Sequence, residues 1–207
     1  MSLADRRVTA LMRQIATQDV IEIVPDDGQM QTISALVYIA EAYGFRYADV
    51  ARVGKDKTLH VYLVRDTDPR AQQRAAANAA AFPQAGGGGP VPGMYQGSLT
   101  PVPEAQHDID LITTLITYDS LGAMSRRELR VMAGGCAGLF LLLALLTGKY
   151  AVMLPLAVLI PAFLLGALRV NTARRAKLAQ RLTAAGCAPV RDEQGRERYV
   201  RPVMHGV

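Results

Sequence analysis

Apolar residues along this chain fall into three regimes. Helical and alternating periods run to about residue 82, a Gly- and Pro-rich stretch follows to about residue 107, and dense apolar runs come after it. In the first regime Val8, Leu11, Met12 and Ile15 recur at the i, i+3, i+4, i+7 spacing of one helical face, and Ser2 with Asp5 supplies a capping pair ahead of them. That stripe needs cover. The core of the adjoining domain is expected to supply it rather than a membrane surface, because the stripe has no bulky aromatics. Residues 20–24 form a β-branched run closed by Pro25, Asp26, Asp27 and Gly28, a turn signal. Ile33, Leu36, Val37, Ala40 and Tyr43 return to the helical period, which ends at Gly44. Residues 47–53 and Thr58–Arg65 read as two strands around the polar loop 54–57. The second strand puts Leu59, Val61 and Leu63 on one face and His60, Tyr62 and Val64 on the other.

Helix, strand, helix, strand, strand makes a small cytosolic α+β domain over residues 1–82, with helices on one face of a three-stranded sheet. A winged helix-turn-helix is the rival, with residues 47–53 as its second helix. Its reading face would present Asp49 between Arg46 and Arg52, which opposes phosphate attraction. Pro69–Ala81 is alanine-rich and reads as a helix that packs weakly, with Phe82 nearly its only large apolar group.

Residues 83–107 hold Gly86, Gly87, Gly88 and Gly89 in a row, with Pro90, Pro92, Pro101 and Pro103. Such a composition buries too little apolar surface to offset ordering entropy, so a disordered linker is expected. As a coil it would span roughly 25 to 30 Å. Residues 108–124 form a membrane-proximal segment in which Leu111, Leu115 and Tyr118 fit a helical stripe, while the threonine and isoleucine content suits a strand. A short helix lying on the inner membrane surface is the preferred reading.

Residues 131–147 and 151–168 are two apolar runs without a charged residue, separated by Gly148, Lys149 and Tyr150. As helices they would be about 26 and 27 Å long, close to a hydrocarbon core of roughly 30 Å, whereas one continuous helix would be nearly twice too long. A two-helix transmembrane hairpin over residues 125–170 is the expectation. Ser125 and Glu128 have capping-box spacing at its start, and Pro155 and Pro161 are tolerable where a neighbouring helix satisfies the freed carbonyls. Arg126, Arg127 and Arg130 precede the hairpin, Arg169, Arg174, Arg175 and Lys177 follow it, and its loop holds only Lys149. By the positive-inside rule both termini are cytoplasmic, with those seven cations at lipid headgroups and Lys149 and Tyr150 in the far headgroup layer. Gly134 with Gly138, and Ala162 with Gly166, have the small-residue spacing that lets helices approach, first within the hairpin and second in a homo-oligomer. In residues 171–207 the helix should continue through Leu178 and Leu182 to Gly186. A β-hairpin of Ala188–Arg191 and residues 196–201 follows, too small to have a core of its own.

A net charge of +5 and a pI of 9.4 raise nucleic acid as a partner, but seven of the cations flank the hairpin, where topology accounts for them. The sequence therefore argues against nucleic acid. Cys136 lies in the first run and Cys187 in the tail, so both are expected to be reduced thiols. Residues 1–10 are charged without an apolar core, so the hairpin itself should direct insertion. Arginine far outnumbers lysine and alanine is abundant, a composition that points to a GC-rich bacterial genome.

Neither run holds an ionisable group of the kind that proton and ion pathways use. His60, His107 and His205 lack metal-ligand spacing, and the glycine run lacks the Lys and Ser or Thr of a phosphate loop. Asp26 with Asp27, and Asp66 with Asp68, read as turn residues. No catalytic residue, metal or cofactor is expected. What remains is a multi-pass protein of a bacterial plasma membrane, a non-enzymatic adapter or subunit of a larger assembly whose partners are the lipid bilayer and other proteins. The alternatives are an oligomeric pore- or lesion-forming hairpin and a membrane-tethered nucleic-acid binder using residues 1–82.

Overall fold

The computed structural model describes residues 2–24, 29–54, 58–122, 126–147, 150–192 and 195–201, leaving aside the side chains at 126–130, 132, 133, 150, 153, 164 and 165. The turn at Pro25 to Gly28, the loop residues Lys55 to Lys57, the Ser125 capping box, Gly148 with Lys149, and His205 lie outside the described residues. The chain is mixed helix and strand, as the α+β expectation has it, and it falls into two units, Met1–Ser120 and Leu121–Val207.

In the first unit, α1 (Leu3–Thr17) starts on the expected capping box. The Ser2 hydroxyl accepts from the Asp5 N–H at 3.0 Å, and the Asp5 carboxylate accepts from the Ser2 N–H at 2.7 Å. Its stripe of Val8, Leu11 and Ile15 is buried in the core of this unit. Strands β1 (Val20–Ile23), β2 (Phe45–Val53) and β3 (Thr58–Arg65) form an antiparallel sheet in the order β1-β3-β2. Ile21 pairs with Leu63 and Ile23 with Val61, which puts four apolar side chains on one face against α2 (Met30–Ala42). At the end of α2, Gly44 takes φ 84°, and its N–H bonds the Glu41 carbonyl at 3.2 Å, the turn that sends the chain into β2. Because residues 49–53 pair one by one with β3 beyond a bulge after Tyr47, the winged-helix alternative has no reading helix. Helix α3 (Pro69–Ala81) is capped by Asp68 and buries only Ala71, in keeping with its alanine-rich surface.

The disordered linker expected over residues 83–107 is overturned. Ala85, Val91 and Met94 are buried in the same core as the sheet and α2, and Leu99 and Val102 pack against it. Met94 bridges Pro101, the Tyr95 N–H bonds the Thr100 carbonyl at 3.0 Å, and the Ser2 hydroxyl donates to the Gly97 carbonyl at 3.2 Å. Glycine here serves close approach rather than freedom. A Cβ at Gly93, where φ is 72°, would stand 2.5 Å from Cε1 of Tyr38 and 3.0 Å from the Ala105 Cβ. Gly93→Ala is therefore expected to destabilise the first unit by about 1 to 3 kcal/mol, read as a lowered urea midpoint, whereas in a flexible tether the same change would be silent.

The membrane-surface position expected for residues 108–124 is also overturned. Residues 108–122 belong to α4 (Pro103–Gly122), whose Ile109, Ile112 and Ile116 are buried in the first unit's core, and 123–124 lie outside the described residues. Threonine is tolerated in this helix because Thr113, Thr114 and Thr117 each donate back to the carbonyl four residues earlier, and Thr113 also meets the buried Ser34 hydroxyl at 2.7 Å. The domain expected to end at residue 82 thus extends to residue 120.

The second unit is built on α5 (Arg126–Thr147) and α6 (Tyr150–Ala184), which pack on each other with Ala144 and Ala157 buried. α6 runs unbroken through Pro155 and Pro161 and ends on Gly186 at φ 82°. There the Gly186 N–H bonds the Thr183 carbonyl and the Cys187 N–H bonds the Leu182 carbonyl, a Schellman pair. Strands β4 (Ala188–Arg191) and β5 (Glu197–Val200) form the expected hairpin. It is docked on α6 rather than left without a core. Leu182, Cys187 and Tyr199 are buried, and the Arg175 guanidinium donates to the Glu197 carbonyl at 3.1 Å. The tail is thus continuous with the helix pair, not a module beginning at residue 171.

Candidate membrane-contacting surface

The second unit exposes what soluble units bury. On α5, Val131, Leu139, Leu141, Leu142, Leu145 and Leu146 are all exposed, and on α6 so are Val152, Leu154, Val158, Leu159 and Phe163, the last at 76%. At about 100° per residue, positions 139, 141, 142, 145 and 146 cover an arc of roughly 160°, a little under half of the α5 circumference, with half-buried Phe140 and Leu143 and buried Ala144 on the rest. A helix apolar all round belongs in an apolar medium, and contiguous exposed patches of this kind mark interaction surfaces.

Length and composition qualify one helix, not two. Among the described residues Leu154–Ala184 is long and apolar enough to cross a membrane, while Gly134–Thr147 is a shorter apolar helix. The expected two-helix transmembrane hairpin is not supported by this measure: α5 and α6 form a helix pair, with one candidate span among the described residues.

Packing between α5 and α6 does not use the small residues expected to do so. Gly134, Gly138 and Gly166 are exposed with nothing within 4 Å of where a Cβ would stand, and Ala162 is exposed as well. The contact uses Ala144 and Ala157 instead. Each is the smallest residue in its most aliphatic stretch, Ala144 between Leu143 and Leu145 and Ala157 between Leu156 and Val158, a signal that was legible but overshadowed by the glycine spacing. Of the cations expected at headgroups, Arg169, Arg174 and Lys177 are exposed on α6, and Arg175 instead holds the tail hairpin. The side chains of Arg126, Arg127 and Arg130 lie outside the described residues.

Chemistry is sparse elsewhere. No group of His, Cys, Asp and Glu that could hold a metal ion occurs among the described residues. A shallow pocket lined by Asp5, Val8, Gly88, Val91 and Tyr95 has room for little more than water. Burial raises the Cys187 thiol above its ordinary value, which disfavours the reactive thiolate. On the sheet face opposite Ile21 and Ile23, His60 Nδ1 lies 2.6 Å from the Glu22 carboxylate, and the Tyr62 hydroxyl supports the same group. The hydrogen bonds from His60 and then Tyr62 hold the Glu22 carboxyl below its ordinary value of 4.5, and the same bond raises Tyr62. A depressed carboxylate contributes stability above its unfolded value, and that contribution is lost as pH falls through the folded one. The urea midpoint of the wild type should therefore exceed that of Glu22→Gln near neutrality and converge on it below the ordinary glutamate range; a gap that stays constant with pH would contradict the bond's role.

No family model matches the chain, and no curated protein or solved structure matches it either.

Proposed function

We propose that α5 and α6 form a two-span membrane hairpin and that the chain is a non-enzymatic adapter or subunit of a larger membrane assembly. The observation that carries this reading is the set of exposed aliphatic side chains on one face of α5 and along α6, with no Asp, Glu, His, Lys or Arg from residue 131 to residue 147 or from residue 151 to residue 168. Residues of that class contribute about 0.3 to 0.6 kcal/mol each to insertion, so each run gains a few kcal/mol in lipid. The arginines at both ends put the termini on the cytoplasmic side, in a bacterial plasma membrane. There the first unit, mixed helix and strand with its own core, is held at the surface for protein partners. Alkaline carbonate extraction of membranes tests the anchoring: the full chain should stay in the pellet, and release into the supernatant would refute it.

A second reading is favoured by one observation. Gly134 and Gly138 face away from α6 and leave a small-residue surface open on α5. In a lesion-forming homo-oligomer that surface would pack hairpin on hairpin, and overexpression would leak ions in the wild type but not in Gly134→Leu. The adapter reading expects an intact membrane in both. A nucleic-acid-binding role for the first unit has lost its reading helix, since residues 49–53 are a strand paired with β3.

A further inference from the structure

Two helices carry four or more charges, all of one sign. α4 holds Glu104, Asp108, Asp110 and Asp119 and no Lys or Arg, while α6 holds Arg169, Arg174, Arg175, Lys177 and Arg181 and no Asp or Glu. Lipid headgroups are within reach of only some of the α6 cations. Arg181 follows Leu168 by thirteen residues, about 20 Å along a helix, whereas the headgroup layer beyond the hydrocarbon is roughly 5 to 8 Å deep. Lys177 and Arg181 therefore stand clear of lipid if α6 crosses upright. With Arg174 they occupy i, i+3 and i+7, one exposed stripe of the helix.

On α4, Glu104 is exposed and Asp108 half-buried at i and i+4, the same spacing as Lys177 and Arg181. The Asp108 charge reaches Tyr38, whose hydroxyl is raised first by burial and then by that carboxylate. Within the first unit the side chains of Glu104 and Asp108 make no hydrogen bond or ion pair with a described residue, and the same holds for Arg174, Lys177 and Arg181 within the second. Each unit thus presents a row of charge that the rest of that unit leaves unmatched. The imbalance extends to whole units: the first holds fourteen Asp and Glu against ten Lys and Arg, and the second four against thirteen.

We infer that the Arg174, Lys177, Arg181 stripe is a docking surface for the acidic flank of α4, at Glu104 and Asp108, in a second copy of this chain. The contact deepens the assembly reading by naming its first partner, and it rests on that reading only for the membrane setting. Because each copy carries both an acidic and a basic row, the contact is head-to-tail and can repeat from copy to copy. Surface charges of this kind set partner choice and salt sensitivity more than raw affinity.

The test uses two differently tagged full-length copies in detergent micelles. One copy pulls down the other at low salt, and retention should fall about tenfold as ionic strength rises from roughly 0.05 to 0.5 M, where the screening length shrinks to a few ångströms. Lys177→Glu with Arg181→Glu in both copies should abolish capture at low salt. Adding Glu104→Lys with Asp108→Lys to those same copies should restore it, which a merely unfolded variant cannot do. Capture that ignores both salt and charge reversal would overturn the proposal. So would loss without rescue in copies that retain wild-type circular dichroism, since the stripe would then serve another acidic partner, such as an oligonucleotide or anionic lipid. Carbonate extraction reads the membrane proposal separately, so failure of one is distinguishable from failure of the other.

Discussion

Leu142→Arg is expected to expel α5 from the membrane and weaken the hold of the chain on it. Leu142 is 53% exposed on α5, close to the middle of the 131–147 run. Replacing a leucine that favours insertion by about 0.3 to 0.6 kcal/mol with an arginine that opposes it by about 2.5 to 3.5 kcal/mol shifts the balance by roughly 3 to 4 kcal/mol. The gain of the whole run is only a few kcal/mol, so a single charge cancels it. The carbonate-resistant fraction should fall, with the α6 run alone holding what remains, and with the first unit still folded by circular dichroism. In water the same substitution at an exposed position would cost no more than about 0.5 kcal/mol. A variant that stayed as membrane-bound and as stable as the wild type would show that α5 does not face lipid.

Ile109→Ala is the counterpart for the first unit. Ile109 is fully buried in the core shared by the sheet, α1 and α2, although it lies beyond the Gly- and Pro-rich stretch that was expected to detach it. Truncating a buried isoleucine to alanine removes its transfer free energy and leaves a cavity, at a cost of about 2 to 5 kcal/mol. Domains of this size have about 5 to 15 kcal/mol in total, so the urea midpoint should drop sharply. A membrane-surface helix would show no such loss. Leu111, one helical step off the buried stripe and only half-buried, should cost less on the same truncation.

What the sequence disclosed depends on the range over which each signal acts. Ser2 with Asp5, Gly44 and Gly186 are local devices that cap helices through bonds to residues three to five positions away, and all three stand where the spacing put them. Alternation of Leu59, Val61 and Leu63 likewise fixed the β3 register, because a one-residue slip would turn its apolar face outward. Failures began where a residue's role is set by something distant in sequence. Gly93 looks like a flexible hinge until Tyr38, more than fifty positions earlier, is found against it. Thr113 looks like a strand residue until its hydroxyl is found against that of Ser34, 79 positions earlier. The Gly134 and Gly138 spacing names a helix face but not its azimuth, and the face turned toward α6 carries Ala144 instead. The surface on which the functional reading rests was the most legible feature of all, since apolar runs without charge need no tertiary partner to be seen.

The two-span arrangement is tested most directly by asking which compartment three positions face. With Cys136 and Cys187 replaced by Ala and Ser, single cysteines at Ala10→Cys, Lys149→Cys and Gly195→Cys would be exposed to a maleimide that cannot cross bilayers. Lys149→Cys should react in intact cells, while Ala10→Cys and Gly195→Cys should react only after permeabilisation. If Ala10→Cys and Gly195→Cys fell on opposite sides, a single span would replace the hairpin; if Lys149→Cys stayed protected along with them, α5 and α6 would not cross at all.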